Sequence, residues 1–409
     1  MHEPPAELEG FRVVPGGVLA PRGFVGGAVA AGIKPSGDLD LGAILSTRTP
    51  CVSTATFTTN RVRGASVDID RDRIAAGPIR GVVFNSGNAN TYTGDGGYED
   101  ALAFIDAFAQ KFDVPQAEIL VASTGVIGFR LPMAKVFAGI ESLELTRDGG
   151  DAVAHGMLTT DAGPKAVAIE VPLSTGVIHI GGVAKGAGMV HPNMATMFAF
   201  LTTDAELSDA YARELFRSAV AGSFNSISVD GDQSTSDTAL FLANGESRVG
   251  LADSDDRDAR LFAGGLFAVC RWLARELVRG GEGVTRVIEV KVSGAPDVEA
   301  ARQAARQVTS SNLVKTAIHG GDPNWGRVVM ALGNSGVDFD PDKIDISIGD
   351  IQVVAVGEPT EYEEALVAAH FRETDVQIGV SLNRGEAVAT AWGGDLSAEY
   401  VAINSEYMT

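Results

Sequence analysis

Short runs of apolar residues alternate along the chain with stretches whose apolar positions recur every three or four residues. Gly81-Val-Val-Phe84 and Ile119-Leu-Val-Ala122 predict strands buried on both faces, and small polar residues follow each at once. Ala166–Val171 and Gly176–Ile180 predict a hairpin that leads into the segment beginning at Lys185. A helix is predicted from Ser208 to Val220, with Tyr211, Leu215 and Ala219 at four-residue spacing and Ser208 as its N-cap. Arg260 to Arg279 predicts a second amphipathic helix, closed by Gly280-Gly281. Composition then shifts. Val287 to Val292 reads as a strand, and Pro296 to Val308 as an Ala-rich helix with Val298, Ala301, Ala305 and Val308 on one stripe. The alternation predicts an α/β protein with a boundary near residue 283, dividing it into a larger domain, 1–283, and a smaller α/β domain, 284–409.

Length agrees, since 409 residues exceed what one ordinary core holds. The composition, 45% hydrophobic and 21% charged, is that of a soluble globular protein. The 49 glycines sit in tight motifs, not in a flexible tract. With 32 Lys and Arg against 53 Asp and Glu, the net charge of −21 opposes binding to nucleic acid or an anionic membrane. The acidic stretch Asp253–Asp258 reads as a solvated loop before a helix. Cys51 and Cys270 are too few for a disulfide framework or a zinc set, and Cys270 falls on the apolar face of a predicted helix. The start of the chain lacks the basic region and apolar run of a signal peptide, and no run of 18 apolar residues is present. A cytoplasmic, reducing location is expected.

The common catalytic signatures are absent: no Gly-x-Ser-x-Gly, no His-Glu-x-x-His, no phosphate-binding Gly-x-x-x-x-Gly-Lys-Ser/Thr. Asp230-Gly-Asp232-Gln-Ser234-Thr-Ser236 has oxygen ligands at calcium-loop spacing. Thr235 stands where that loop needs Gly, however, and Phe241 where it needs Glu, so no metal is expected.

Met194-Ala195-Thr196-Met197, in the Gly-rich segment Lys185–Phe198, admits two readings. Thr196 is either one β-branched residue of a buried segment, or a nucleophile released by cleavage before it. A threonine at a new N-terminus carries its own base, because a free α-amine titrates near about 7.7–8.0. A hydroxyl attacking a carbonyl also needs donors for the oxyanion. Ser123-Thr124-Gly125-Val126-Ile127-Gly128 could supply them from a strand end, or could be a plain turn. Lys185 could supply positive charge or be an ordinary surface lysine. His191 reads as a packing residue, and Asn85–Asn90 more as turn architecture than as chemistry. Leu-Thr-Thr-Asp-Ala occurs twice, at 158–162 and 201–205, without wider similarity around it.

Together and in order, these segments resemble the ornithine acetyltransferase family of arginine biosynthesis, also called glutamate N-acetyltransferase. The matching motifs are Gly26–Lys34, Phe57–Arg61, Asn85–Asn90, Ser123–Gly128, Leu158–Asp161, Lys185–Met197, Ser223–Asp232, Gly281–Gly283, Asp322–Arg327 and Asn404–Thr409. The resemblance implies two β-sheets between helix layers, similar to the N-terminal-nucleophile hydrolases but differently connected. It implies self-cleavage between Ala195 and Thr196 into an α chain, 1–195, and a β chain, 196–409, assembled as two of each. Thr196 would be the nucleophile, Thr124 and Gly125 the oxyanion hole, and Thr159, Lys185, Thr196, Glu282, Asn404 and Thr409 the substrate-binding residues. The C-terminal tail would complete the site. The reaction implied is ping-pong transfer of acetyl from N2-acetylornithine to glutamate through an acetyl ester on Thr196, with no cofactor and with acetyl-CoA as a second donor in the bifunctional form. A self-processing amidohydrolase or aminopeptidase, a relative acting on a modified amino acid in secondary metabolism, and a non-catalytic amino-acid-binding relative are the other readings. The chain departs from the usual pattern at Met408, Ala162-Gly163, Tyr92 and Val284.

Overall fold

A computed structural model describes residues 6–191, 197–251 and 257–406. Two sheets stack face to face, each covered on its outer side by helices. The six-stranded sheet runs in the order Arg12–Val13, Lys165–Leu173, Gly176–Lys185, Phe198–Thr203, Thr238–Ala243, Val52–Phe57. The four-stranded sheet runs Phe24–Val29, Leu41–Ser46, Gly81–Asn88, Ile119–Val126.

The uninterrupted apolar runs follow from this layering. In the strand Gly81–Asn88, Val82 and Phe84 point between the sheets, while Val83 points to the helices outside. Leu120 and Ala122 face inward in the neighbouring strand, and Ile119 and Val121 outward. Phe198–Thr203 behaves alike: Phe198 and Phe200 enter the inter-sheet core, Ala199 and Leu201 the outer one. A strand buried on both faces has no polar side to alternate with. Phe84 and Phe200 meet across the sheets with ring centroids 6.1 Å apart. Each such fully buried side chain stabilises the fold by roughly 1.5–3 kcal/mol. The helices Ala65–Ala76, Gly94–Phe112 and Met133–Ser142 cover the four-stranded sheet, and Asp209–Ala221 and Arg257–Arg279 cover the six-stranded one. Cys270 is buried in the latter helix.

A seven-stranded sheet follows, built from Ile227–Ser228, Ala387–Gly394, Val287–Ala295, Asp375–Ser381, Asp345–Ile348, Ile351–Ala355 and Glu358–Pro359. Its own core packs the helices Val298–Ser310, Asn312–Gly320, Gly326–Gly333 and Glu364–His370. Ile227–Ser228 lies parallel to Trp392–Gly393, joining this sheet to the sandwich.

The predicted elements are present with shifted ends. The helix expected from Pro296 begins at Val298, because Asp297 caps it by accepting from the Ala300 N–H at 2.8 Å. That leaves Val298 about half exposed in the first turn. In Asp209–Ala221 the Ser208 side chain caps the Tyr211 N–H, as the spacing implies. The buried stripe is Ala212, Phe216, Ala219 and Val220, with Tyr211 and Leu215 at its margin. The helix expected from Arg260 begins at Arg257; of the acidic stretch before it, 253–256 lie outside the described residues. No helix among the described residues is long and apolar enough to cross a membrane.

Candidate active site

The parallel strands Gly81–Asn88 and Ile119–Val126 end side by side, with Ser86 opposite Thr124 and Gly87 opposite Gly125. Gly125 has φ +132°, and a Cβ there would lie 2.3 Å from the Gly87 carbonyl carbon, so no side chain fits. The asparagines beside it brace the backbone. Asn85 donates to Asn88 O at 2.8 Å, Asn88 to Arg130 O at 3.0 Å, and Asn90 to Gly97 O at 2.7 Å.

Lys185 closes the strand Gly176–Lys185 and is 1% exposed. Its Nζ donates to Thr124 Oγ1 at 3.2 Å and to Thr159 Oγ1 at 2.9 Å. Three residues distant in sequence thus meet at one ammonium group. Having accepted from Lys185, the Thr124 hydroxyl keeps its own proton to donate, as an oxyanion site requires. Burial pushes the Lys185 ammonium below its ordinary range; Asp161 and Asp237 pull it back, while Lys165 and Lys34 add to the drop. Asp161 accepts from Lys165 Nζ at 2.6 Å and from the Gly186 N–H at 2.7 Å. Burial works against ionisation of Asp161, but the charges of Lys185 and Lys165 and these hydrogen bonds outweigh it and hold the carboxyl below its usual range.

A second group adjoins the first through the chain itself. Thr160, next to Thr159, donates to Glu282 Oε1 at 2.6 Å, and Asn404 Nδ2 donates to Glu282 Oε2 at 2.8 Å. Asn404 lies on the helix Ala398–Glu406. A Cβ on Gly188 would come within 2.5 Å of Glu282 Oε2, so the loop after Lys185 passes directly against this carboxylate. The structure therefore brings Thr124, Gly125, Thr159, Lys185, Glu282 and Asn404 into two linked clusters. Ala195, Thr196, Met408 and Thr409 lie outside the described residues.

Two aspartates flank the segment that holds Thr196. Asp230 accepts from the Met189 N–H and, at 2.9 Å, from the Val190 N–H, so its carboxylate braces backbone where a calcium loop would coordinate metal. Asp237 is fully buried and accepts from the Met197 N–H at 2.8 Å. Burial raises the Asp237 carboxyl well above its usual range, against hydrogen-bonding hydroxyls at Ser234 and Thr58 and the charge of Lys185. His191 sits 3.2 Å from Ser228 Oγ, and burial, aided by Arg306, lowers its titration. Sequence reasoning did not single out Asp161, Asp237, Lys165 or Lys34. The available signal was the placement of Asp161 and Lys34 inside motifs already noticed, at Leu158–Asp161 and Gly26–Lys34. Lys34 Nζ donates to Leu158 O at 2.9 Å, beside Thr159.

Residues 26–409 match the ArgJ family. The arginine biosynthesis bifunctional protein ArgJ of Symbiobacterium thermophilum is 46% identical over 398 residues, covering 96% of this chain and 99% of that protein. The protein of the same name from Dehalococcoides mccartyi is 42% identical over 396 residues, covering 96% and 98%. Among solved structures, a chain of the ornithine acetyltransferase from Mycobacterium tuberculosis, complexed with ornithine, is 38% identical; it covers 44% of this chain and 98% of that chain, with a TM-score of 0.42.

Proposed function

The chain belongs to the ArgJ family, and we propose that it is a glutamate N-acetyltransferase taking its acetyl group from N2-acetylornithine in arginine biosynthesis. The observation that carries this reading is the Lys185 cluster: a buried ammonium between two threonine hydroxyls, at the entry to the segment containing Thr196.

In this reading the chain cuts itself between Ala195 and Thr196 into residues 1–195 and 196–409. The freed Thr196 amine takes the hydroxyl proton as Oγ attacks the acetyl carbon. The Thr124 hydroxyl and the Gly125 N–H stabilise the oxyanion, each such donor contributing about 10²–10³ in kcat. Ornithine leaves with a proton, glutamate enters, and its amine takes the acetyl group from the Thr196 ester. Both amino acids carry an α-carboxylate, so one clamp built on Lys185, Thr159, Asn404 and Thr409 serves both. Glu282, tied to Thr160 and Asn404, offers negative charge for an amino group of the substrate. Acetyl-CoA as a second donor, an assembly of two α and two β chains, a domain boundary near residue 283 and action in the cytoplasm belong to the same proposal.

Intact mass spectrometry of the purified protein, before and after incubation with N2-acetylornithine alone, tests the core of it. Expected are two chains split at 195/196, with one acetyl group added to the C-terminal chain. A single uncut chain, or free acetate with no glutamate needed, would overturn the assignment.

A further inference from the structure

We propose that Lys34 is a positioning residue for substrate binding: it fixes the peptide group before Thr159 and so sets that threonine against Lys185. This rests on the glutamate N-acetyltransferase reading, in which Thr159 helps to hold both amino acids, and adds a residue that acts through Thr159.

Thr159 lies in irregular chain between the helix Gly150–Gly156 and the strand Lys165–Leu173, so no helix or sheet ladder orients it. Side chains do so instead. The peptide group joining Leu158 to Thr159 is held at both ends. Lys34 Nζ donates to its carbonyl oxygen at 2.9 Å, and its N–H donates to Asp161 Oδ2 at 3.3 Å. Lys185 Nζ then donates to Thr159 Oγ1 at 2.9 Å. A planar peptide fastened at one end turns about its flanking dihedrals and carries the next side chain with it; fastened at both ends, it stays.

Lys34 is itself anchored to the strands that carry the oxyanion donors. Fully buried Asp40 accepts the Ala31 N–H at 2.7 Å on one carboxylate oxygen and the Lys34 N–H at 2.8 Å on the other. The Asp40 carbonyl in turn accepts the Ser86 N–H at 2.9 Å, and Ser86 lies opposite Thr124. A Cβ on Gly87 would come within 2.8 Å of Lys34 Cγ, so the lysine stem runs close against the strand end where Gly87 meets Gly125. Lys34 thus ties the loop bearing Thr159 to the strand pair bearing Thr124. It holds the two at the separation that the Lys185 ammonium bridges, from Thr124 Oγ1 to Thr159 Oγ1. Its charge contributes as well as its reach. Burial works against the Lys34 ammonium while Asp40, Asp38 and Asp161 support it, and a charged donor makes a hydrogen bond about twice as strong as a neutral one. Methionine at this position keeps the length of the stem and offers the Leu158 carbonyl no donor. Lys135 gives the contrast. Its Nζ also donates to a carbonyl, that of Gly32, but the contact is exposed and involves neither Leu158 nor Thr159.

The test is isothermal titration of ornithine and of glutamate into the purified protein, as wild type, Lys34→Met, Thr159→Val, the double variant and Lys135→Met. Expected in Lys34→Met are dissociation constants about tenfold or more higher for both amino acids, with the binding stoichiometry unchanged. The double variant should bind within about twofold of Thr159→Val alone, because the two residues act as one unit. Lys135→Met should match wild type. Lys34→Met binding both amino acids within about twofold of wild type would overturn the inference. So would losses that add in the double variant, which make Lys34 an independent contact, or fewer binding sites at wild-type affinity, which make it a folding residue. A wild type that binds neither amino acid and transfers no acetyl group would instead overturn the transferase reading, and the inference with it.

Discussion

The pentapeptide Leu-Thr-Thr-Asp-Ala appears at 158–162 and at 201–205, the same five residues in two unlike surroundings. The first copy lies in irregular chain between the helix Gly150–Gly156 and the strand Lys165–Leu173. Its partners are mostly side chains: Lys185 on Thr159 and Glu282 on Thr160, both distant in sequence, and Lys165, four residues on, on Asp161. The second copy ends the strand Phe198–Thr203, and its partners are mostly backbone. Thr202 donates to Val18 O, Thr203 to His179 O at 2.8 Å, and Asp204 accepts the His179 N–H at 2.7 Å. Hydroxyls and carboxylates bonded to main chain consolidate a sheet. The same groups bonded to buried charges form the cluster proposed as the active site.

Exchanging the aspartates should separate the copies most widely. Asp161→Asn leaves Lys165 and Lys185 buried without their counter-ion. We expect transfer to fall at least about 10²-fold and stability by about 3 kcal/mol. Asp204→Asn should lower the melting temperature and leave kcat within about twofold of wild type. Glutamate-dependent acetyl transfer and a thermal melt on both variants decide the matter, and a folded but inactive Asp204→Asn would break the comparison.

The hydroxyls should follow at smaller amplitude. Thr159→Val removes an acceptor from Lys185 and should reduce kcat/KM roughly tenfold or more, since a hydrogen bond to a charged group is worth about 1.5–3 kcal/mol. Thr202→Val should cost about 1–2 kcal/mol of stability by leaving the Val18 carbonyl unpaired, with kcat/KM unchanged. Equal losses of activity in the two variants would erase the distinction.

The smallest effect lies in acid. The depressed Asp161 carboxyl stabilises the folded state above its unfolded value near about 3.9, and this is lost as pH falls through the lower folded value. Asp161→Asn should therefore lose less melting temperature than wild type as pH falls below about 4. A steeper acid loss in the variant would contradict the burial and pairing described for this carboxyl.

Much of the fold was legible because its cause is local and repetitive. Gly81–Phe84 and Ile119–Ala122 announce strands with two dry faces by apolar residues at every position, and both are central in the layered sandwich. Helix ends were less legible, since Asp297 wins the cap only once the strand before it is placed. In the candidate site, Lys185 and the Ser123–Gly128 segment stood out, whereas Asp161 and Asp237 did not. A lone aspartate in a polar stretch looks solvated until folding strips its water. What makes Asp237 unusual is the strand pairing that sets it against Met197, 40 positions earlier in the sequence.

The residue pattern by itself determined the alternation of strands and helices, the double-sided burial of the central strands and the kind of chemistry a threonine beside small residues can support. These depend on side-chain period and intrinsic reactivity, properties each segment carries alone. Only the tertiary structure decided which Leu-Thr-Thr-Asp-Ala reaches Lys185, that Glu282 is shared by Thr160 and Asn404, and that Asp230 and Asp237 hold the backbone at Val190 and Met197. Those outcomes depend on distance and dehydration between remote segments, and neither quantity exists until the sheets have stacked.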